Sequence, residues 1–255
     1  MPSKYSPAWL GMNKKIGLGI DRAIPLYWAN YALELYMSNK DMAVNYSLLK
    51  EQLHKQSESS ETPRKIANHL KQLWLNQTDE LGLLREQVAK IIRQNSMTDL
   101  TIFQMGMAWN AFPLFHQVCQ KIGELARVSS SINSKQVTDR ILQEFAAITT
   151  IPRAVSRVIQ TLEDWKLIKL NRGVISLNEF IIKEPVLGDW LIRALMTANS
   201  RGEIPIHDLD LLPELLGLHY LDLRDCIRQS EGLVIRRGVL GEEQVCLTDS
   251  FHEKV

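Results

Sequence analysis

The sequence predicts a mainly α fold, in which an N-terminal helical bundle is followed by two winged helix-turn-helix units. Apolar residues recur at helical spacing through the first 130 residues, as Ile66, Leu70, Leu73 and Trp74 illustrate. After a serine-rich seam at 129–134, two stretches each show the order helix, turn, helix and then two short extended runs. Because one order occurs twice, each occurrence supports the other.

Length and composition limit the size of these units and their general properties. A chain of 255 residues suits one large domain or two to three small ones, at roughly 100–200 residues each. We place the domains at 1–130, 131–180 and 181–255. With 45% hydrophobic and 23% charged residues the chain can build a packed core. Its net charge of +1 provides no overall attraction for nucleic acid or anionic lipid, so such binding requires a local patch.

The helix starts of the first domain are marked by capping residues. Asp21 is expected to cap a helix over 22–37, and Asp41 to cap a second helix. Thr62-Pro63 provides an N-cap and a proline for the first helical position of a third helix, and Asp79 begins a fourth. Two more helices are expected over about 97–110 and 112–127. Little before residue 130 is typical of a strand.

The first winged unit carries the strongest signal for nucleic-acid binding. Helices are expected over about 135–147 and 152–165, followed by extended runs at 167–170 and 174–177 around Asn171-Arg172-Gly173. Residues 135–172 carry seven Lys or Arg and four Asp or Glu, a net charge of +3. The second helix has one apolar face, and its other face carries side chains that can contact bases and phosphates, namely Arg153, Ser156, Arg157 and Gln160.

Cations beyond this helix extend the candidate DNA-binding set. Lys166, Lys169 and Arg172 are expected at the hairpin, beside the DNA backbone. Arg64 and Lys65 follow a helix start, where backbone N–H groups could also receive a phosphate. For the hairpin cations and for Arg64 and Lys65, the alternative is a solvated charged surface. For the polar face of the second helix, the alternatives are a solvated face or a protein interface.

The second winged unit favours protein contact over DNA contact. Helices are expected over 186–198, over 208–216 with an interruption at Pro213, and over 219–230, with extended segments at 202–206, 233–237 and 244–248. Residues 203–222 contain five carboxylates and no Lys or Arg, which repels phosphate. The following helix and wing do carry cations, which are Arg224, Arg228, Arg236 and Arg237.

No enzyme signature stands out, and no cofactor or metal is expected. The sequence lacks a P-loop, an HExxH and a GxSxG motif, and Gly17-Leu18-Gly19 lacks the third glycine of a dinucleotide loop. His116 and Cys119 have helical ligand spacing without a second pair. Cys119, Cys226 and Cys246 are widely spaced and predict buried thiols in a reducing compartment.

A cytoplasmic location is expected from the absence of targeting and membrane signals. Met1-Pro2-Ser3-Lys4 is not followed by the apolar run of a secretion signal. The most apolar stretch, 23–37, is shorter than the roughly 20 residues that a membrane span requires. We therefore expect no membrane partner.

Two segments resemble the BrxA-like accessory proteins of BREX phage-defence systems. Ser59-Ser60-Glu61-Thr62-Pro63-Arg64-Lys65 resembles their S-x-x-T-x-[RK]-[RK] element, and 151–158 followed by 162–168 is similar to a later helix and its turn. The resemblance covers about residues 30–170. It implies an all-helical fold similar to an antitermination-factor bundle, DNA binding, and a role beside a methyltransferase and an ATPase. Trp165-Lys166 departs from the small residues of the family at that turn, and the unit after Leu177 is additional.

The resulting expectation is a non-enzymatic protein that contacts duplex DNA through its first winged unit, within a bacterial phage-defence or mobile-element system. The alternative is an assembly subunit of a defence or chromosome-associated complex, whose winged units dock partner proteins. Either role is compatible with contacts to other subunits of a defence complex and with a homo-oligomer.

Overall fold

The computed structural model describes residues 20–38, 41–56, 61–76, 81–95, 99–145, 149–238 and 241–248. The protein is mainly helical, as predicted, with small sheets. None of the helices in these ranges combines the length and the apolar composition that a membrane span requires. The bundle comprises α1 (Leu26–Ser38), α2 (Met42–Lys55), α3 (Glu61–Leu70), α4 (Gly82–Gln94), α5 (Thr101–Ala111) and α6 (Pro113–Ala126). A π-helical turn, Lys71–Leu75, continues α3.

The expected helix starts have different outcomes. Asp41 is confirmed as a cap, because its carboxylate accepts hydrogen bonds from the backbone N–H groups of Ala43 and Val44. The expectation for Asp21 is wrong, since α1 begins only at Leu26, after a proline. Thr62 lies inside the first turn of α3, which begins one residue earlier. Asp79 and Gly17-Leu18-Gly19 lie outside the described residues.

The centre of the bundle is α5, which is buried on nearly every side. Its neighbours are α6, α4 and the π-helical turn, together with a helix from the C-terminal third. The Trp74 indole donates a hydrogen bond to Gln104 of α5 at 2.7 Å, so the one long polar side chain in this part of α5 has a partner inside the core. A helix without a polar face needs such complete coverage.

The next unit consists of β1 (Ile132–Asn133), α7 (Ser134–Glu144), α8 (Ile151–Asp164), β2 (Ile168–Asn171) and β3 (Val174–Leu177). The strands form an antiparallel sheet in the order β1–β3–β2. The predicted hairpin is confirmed. The seam at 129–134 is more than a linker, because it contains β1 and the Asn133 cap of α7, which forms a capping box with Gln136. Helix α6 packs on α7, α8 and β1.

The C-terminal third repeats this strand order in a second sheet. It contains β4 (Phe180–Ile182), α9 (Pro185–Ala198), β5 (Glu203–Pro205), α10 (Ile206–Leu209), a 3₁₀ turn (Pro213–Leu215), β6 (Leu218–Tyr220), α11 (Leu223–Arg228), β7 (Leu233–Arg237) and β8 (Glu243–Leu247). The second sheet is antiparallel in the order β5–β8–β7, and β4 pairs with β6 in parallel.

One helix expected in this third differs from the structure, and another has the expected interruption. The expected helix over 219–230 is wrong at its start, because residues 218–220 pair with β4 and Asp222 caps a helix of six residues. The brief helix expected over 208–216, with an interruption at Pro213, is present as two short elements, α10 and the 3₁₀ turn that begins at Pro213. A proline disfavours the helical conformation of the residue before it, and Leu212 is accordingly extended.

The C-terminal third is packed firmly on the bundle. Trp190 of α9 is fully buried, its ring meets Phe103 edge-on at 5.0 Å between centroids, and its indole N–H donates to the Leu84 carbonyl. The Asn110 amide donates to the Ala194 carbonyl at 3.0 Å. The buried apolar residues of the three sequence regions consequently form one continuous core.

Candidate nucleic-acid interface

Helix α8 has the two faces that its sequence predicts. Its apolar face, with Val155, Val158 and Leu162, is fully buried against the rest of the unit. On the opposite face Arg153 and Ser156 are exposed, and Arg157 and Gln160 are partly exposed. The spacing of i, i+3, i+4 and i+7 therefore places these four polar side chains along one stripe of the helix.

Arg157 and Gln160 contact each other within this stripe. The Arg157 guanidinium donates a hydrogen bond of 2.7 Å to the Gln160 side-chain oxygen, which holds both side chains along the helix. The Arg157 Nε is buried and has no hydrogen-bond partner among the described residues. Arg153 and Ser156 are accordingly the more accessible half of the stripe.

The segment 20–26 lies along one flank of α8. The Ile24 N–H donates to the Thr161 hydroxyl at 3.0 Å, and the Leu26 N–H donates to the Asp164 carboxylate at 2.6 Å. In return, the Trp165 indole donates to the Ile24 carbonyl at 2.8 Å. These contacts fix the position of α8 and cover its flank at the C-terminal end.

The hairpin after α8 presents further cations. Its two-residue turn consists of Arg172, with φ of 48°, and Gly173, with φ of 82°, which is the backbone of a type I′ turn. Lys169 on β2 and Arg172 at the tip are both exposed. Lys166 is also exposed and has a φ of 59° where the chain leaves α8 and enters β2.

A cleft of about 410 Å³ brings together residues that are distant in the sequence. Cations enter it from three segments, with Arg22 before α1, Lys65 on α3 and Arg153 on α8. Lys65 and Arg153 were candidates on separate grounds, and the structure places them in one cleft. Arg64, the neighbour of Lys65, is exposed and does not line it. The other polar side chains in the lining are Asp21, His69 and Thr150.

Arg22 and His69 of this cleft were not among the predicted residues. Arg22 has no other Lys or Arg close to it in the sequence, and His69 is buried on the inner side of α3. Neither position has a local pattern that indicates a site, because the cleft forms only when 20–26 folds back onto α3 and α8. The convergence is a tertiary contact that spacing within one helix does not encode.

The charges in the cleft are partly paired. Lys65 Nζ lies 2.8 Å from Asp21 and 2.9 Å from Glu61. Burial alone would raise the pKa of Asp21, but hydrogen bonds from Lys65 and His69 outweigh burial and lower it. Burial lowers the pKa of His69 below its usual 6.5, despite the nearby Asp21 carboxylate. At neutral pH the lining therefore contains three cations, one carboxylate and a neutral imidazole.

The cations of the C-terminal third are arranged differently. Arg224 on α11 forms an ion pair with Glu243 on β8. Arg228 at the end of α11 and both Arg236 and Arg237 on β7 are exposed. Arg237 lies opposite Glu243 in the strand register. Two of these four arginines, Arg224 and Arg237, therefore lie beside Glu243.

The residues with ligand-like chemistry elsewhere are buried. His116 Nε2 lies 3.5 Å from the Glu214 carboxylate, which also accepts a 2.6 Å hydrogen bond from Asn199. Cys119, Cys226 and Cys246 are buried free thiols, as predicted, and burial raises the pKa of Cys226 to about 11. Within the described ranges no three His, Cys, Asp or Glu side chains are grouped to hold a metal ion.

Comparison of the chain with protein-family models, with curated proteins and with solved structures finds no match.

Proposed function

We propose that the protein is a non-enzymatic DNA-binding protein, and that it contacts duplex DNA through α8 and the β2–β3 hairpin. The observation that carries this proposal is the exposed polar stripe of α8, which has a cation at its start and is followed directly by a cationic hairpin. Arg153 and Ser156 face DNA, Arg157 is positioned by Gln160, and Lys166, Lys169 and Arg172 lie beside phosphates.

The topology supports this assignment. The order α6, β1, α7, α8, β2, β3, with the sheet order β1–β3–β2, is what we infer to be a winged helix-turn-helix. In that arrangement α8 is the recognition helix, and the hairpin is the wing beside it. Helix α6 supplies the first helix of the unit, since it packs on α7, α8 and β1.

The turn residue of the hairpin gives independent support. Positive φ in a type I′ turn favours Asn, Asp or Gly, and another residue there costs of order 1 kcal/mol. Arg172 occupies this position with φ of 48°. We infer that the Arg172 guanidinium, presented at the tip of this turn, contacts the DNA backbone.

A second role, protein docking, fits the C-terminal winged unit better. We infer the same topology there from α9, β5, α10, α11, β7 and β8, but its α11 has only six residues. Arg224 is paired with Glu243, and three large apolar side chains on this third are exposed. Short length and paired charge are poorly suited to phosphate contact, whereas exposed apolar groups suit a protein partner. These apolar residues are Ile181, Leu211 and Leu221.

The BrxA-like resemblance extends the proposal to the biological setting. We place the protein among the accessory subunits of a bacterial phage-defence or mobile-element system. Genes for an adenine methyltransferase and a large ATPase beside its own would support that setting. Their consistent absence beside it would argue against the defence role and would leave the DNA-binding proposal to its own test.

The test is a titration of duplex DNA at several salt concentrations. The wild type is compared with Lys169→Gln/Arg172→Gln, which removes two hairpin cations outside the cleft. Each lost phosphate contact reduces the magnitude of the negative slope of log K against log salt by about 0.9. The slope of the double variant should therefore be less steep by up to about 1.8. Fluorescence anisotropy of a labelled duplex measures the slope.

The matched control is Lys90→Gln/Arg93→Gln, which removes two exposed cations from α4 and should keep the wild-type slope. An identical slope for the hairpin variant and the wild type would contradict the proposed interface. If wild-type binding to DNA is absent at low salt, the protein-docking role becomes the better account.

A further inference from the structure

The cleft between 20–26, α3 and α8 has the features of a ligand site. Its volume of about 410 Å³ falls within the range of roughly 300–1,000 Å³ that is usual for small-molecule sites. It is lined by side chains from three segments that the fold brings together, and three of its six polar side chains are cationic against one carboxylate. A positively charged recess of this size attracts an anion.

The charge balance identifies the two groups available to that anion. Lys65 is shared between Asp21 and Glu61, so its charge is already matched. The Arg22 guanidinium is held by a 2.9 Å hydrogen bond to the Asp21 carbonyl and lies 4.0 Å from the Asp21 carboxylate. Arg153 has no ion pair within the described residues and is exposed at the start of α8. Arg22 and Arg153 thus line one recess from two different segments of the chain.

The remaining polar lining suits a tetrahedral oxyanion. Thr150 lines the cleft, and its hydroxyl does not cap α8. Two arginines with five N–H donors each and a hydroxyl can together meet several oxygen atoms. A phosphate group has the charge and the number of acceptors to match them, and guanidinium groups bind phosphate in a bidentate manner.

We propose that this cleft binds a phosphate group, with Arg22 and Arg153 as its principal ligands and Thr150 beside them. This inference deepens the proposed function, because Arg153 also belongs to the polar stripe of α8. The phosphate comes either from the DNA backbone or from a free phosphorylated nucleotide. The first source would lengthen the DNA contact from α8 towards α3, and the second would place a small ligand next to the recognition helix.

The experiment measures phosphate and DNA binding separately. Inorganic phosphate and adenosine monophosphate are titrated by calorimetry into the wild type, Arg22→Gln, Arg153→Gln and the control Lys90→Gln. Loss of a charge-assisted bidentate contact should weaken phosphate binding by about tenfold in each cleft variant. The control should bind as the wild type does, and circular dichroism checks that every variant is folded. Duplex DNA is then titrated against the same proteins.

The outcomes separate this inference from the proposed function. If Arg22→Gln weakens both phosphate and DNA binding, the cleft receives a backbone phosphate. If it weakens the binding of phosphate or the mononucleotide but leaves DNA binding unchanged, the ligand is a free phosphorylated molecule. If neither the wild type nor Lys169→Gln/Arg172→Gln binds DNA but the protein still binds phosphate, the result supports the cleft and refutes the DNA interface. Wild-type phosphate affinity in both Arg22→Gln and Arg153→Gln, or no wild-type affinity for any phosphate probe, would overturn the inference.

Discussion

Arg85 of α4 has no exposed surface, and its guanidinium binds the carbonyl groups at the end of the π-helical turn. It donates hydrogen bonds to the backbone carbonyls of Gln72, Leu73 and Asn76 at 2.7 to 2.9 Å. A helix end leaves carbonyls without intrahelical partners, and burial makes that costly. Arg85 satisfies these groups inside the core and joins α4 to the end of α3.

Replacing Arg85 tests this role. Arg85→Met keeps most of the volume but leaves several buried carbonyls without donors, so the free energy of unfolding should fall by about 3 kcal/mol. Arg85→Lys keeps the charge without the planar fork of donors and should recover only part of that loss. Urea denaturation gives both values. A loss below about 1 kcal/mol for Arg85→Met would show that the carbonyls find other partners.

At the scale of single residues, the sequence predicts those features that helical periodicity determines, which are the exposed and buried positions of a helix. The exposure of Arg153 and Ser156 and the burial of Val155 and Val158 follow from the helical spacing within α8. Arg157 and Gln160 were predicted on the same face, but the hydrogen bond between them was not predicted. The contribution of Arg22 to the cleft and of Arg85 to the core depends on partners far along the chain, and spacing within one helix contains no information about them.

Helix α6 and the 3₁₀ turn pack closely against each other at Gly123. A Cβ at Gly123 would lie 1.8 Å from the Pro213 carbonyl oxygen, a distance that no side chain can accept. The same contact places His116 of α6 beside Glu214 of the turn. Helix α6 therefore packs directly on the C-terminal third of the chain.

Gly123→Ala should force these two elements apart and lower the free energy of unfolding by about 2 kcal/mol. The matched control is Gly82→Ala at the start of α4, where a Cβ meets no atom within 4 Å. That variant should be neutral or slightly stabilising, because alanine favours helix. Thermal and chemical denaturation of both proteins test the difference. Equal stability for the two variants would contradict the close packing.

The long helices were predicted from the sequence more successfully than the shortest strands. Helices α2, α6, α8 and α9 have amphipathic patterns over 14 residues each, and the structure contains them near the expected positions. Strands β1, β4 and β6 have two or three residues, too few for an alternating pattern, and they exist because a partner strand lies beside them. The same pairing of β4 with β6 removes the first residues of the helix expected over 219–230.

At the scale of the whole molecule, one core joins regions that the sequence separates. Trp190 connects α9 to both α4 and α5, and Asn110 adds a polar contact between α5 and α9. The boundaries at 130 and 180 follow changes in sequence pattern, whereas the packing across them depends on which side chains meet. A small domain seldom separates cleanly when its core is shared with another.

This shared core predicts a single cooperative unfolding transition. Far-ultraviolet circular dichroism and tryptophan fluorescence should give the same denaturation midpoint for the wild type. Trp190→Ala should lower both midpoints together and reduce stability by about 3 kcal/mol or more, because it leaves a large cavity where three helices meet. Two separated transitions, with only one shifted by the substitution, would indicate units that unfold independently.

The three hydrogen bonds that hold 20–26 against α8 have a consequence for recognition. Any ligand that required α8 to shift would have to break bonds at Thr161, Asp164 and Trp165, two of them between buried groups. The helix is therefore pre-organised and loses little conformational entropy when a ligand binds. Such rigidity suits a partner whose own shape is regular and penalises one that must be accommodated by induced fit.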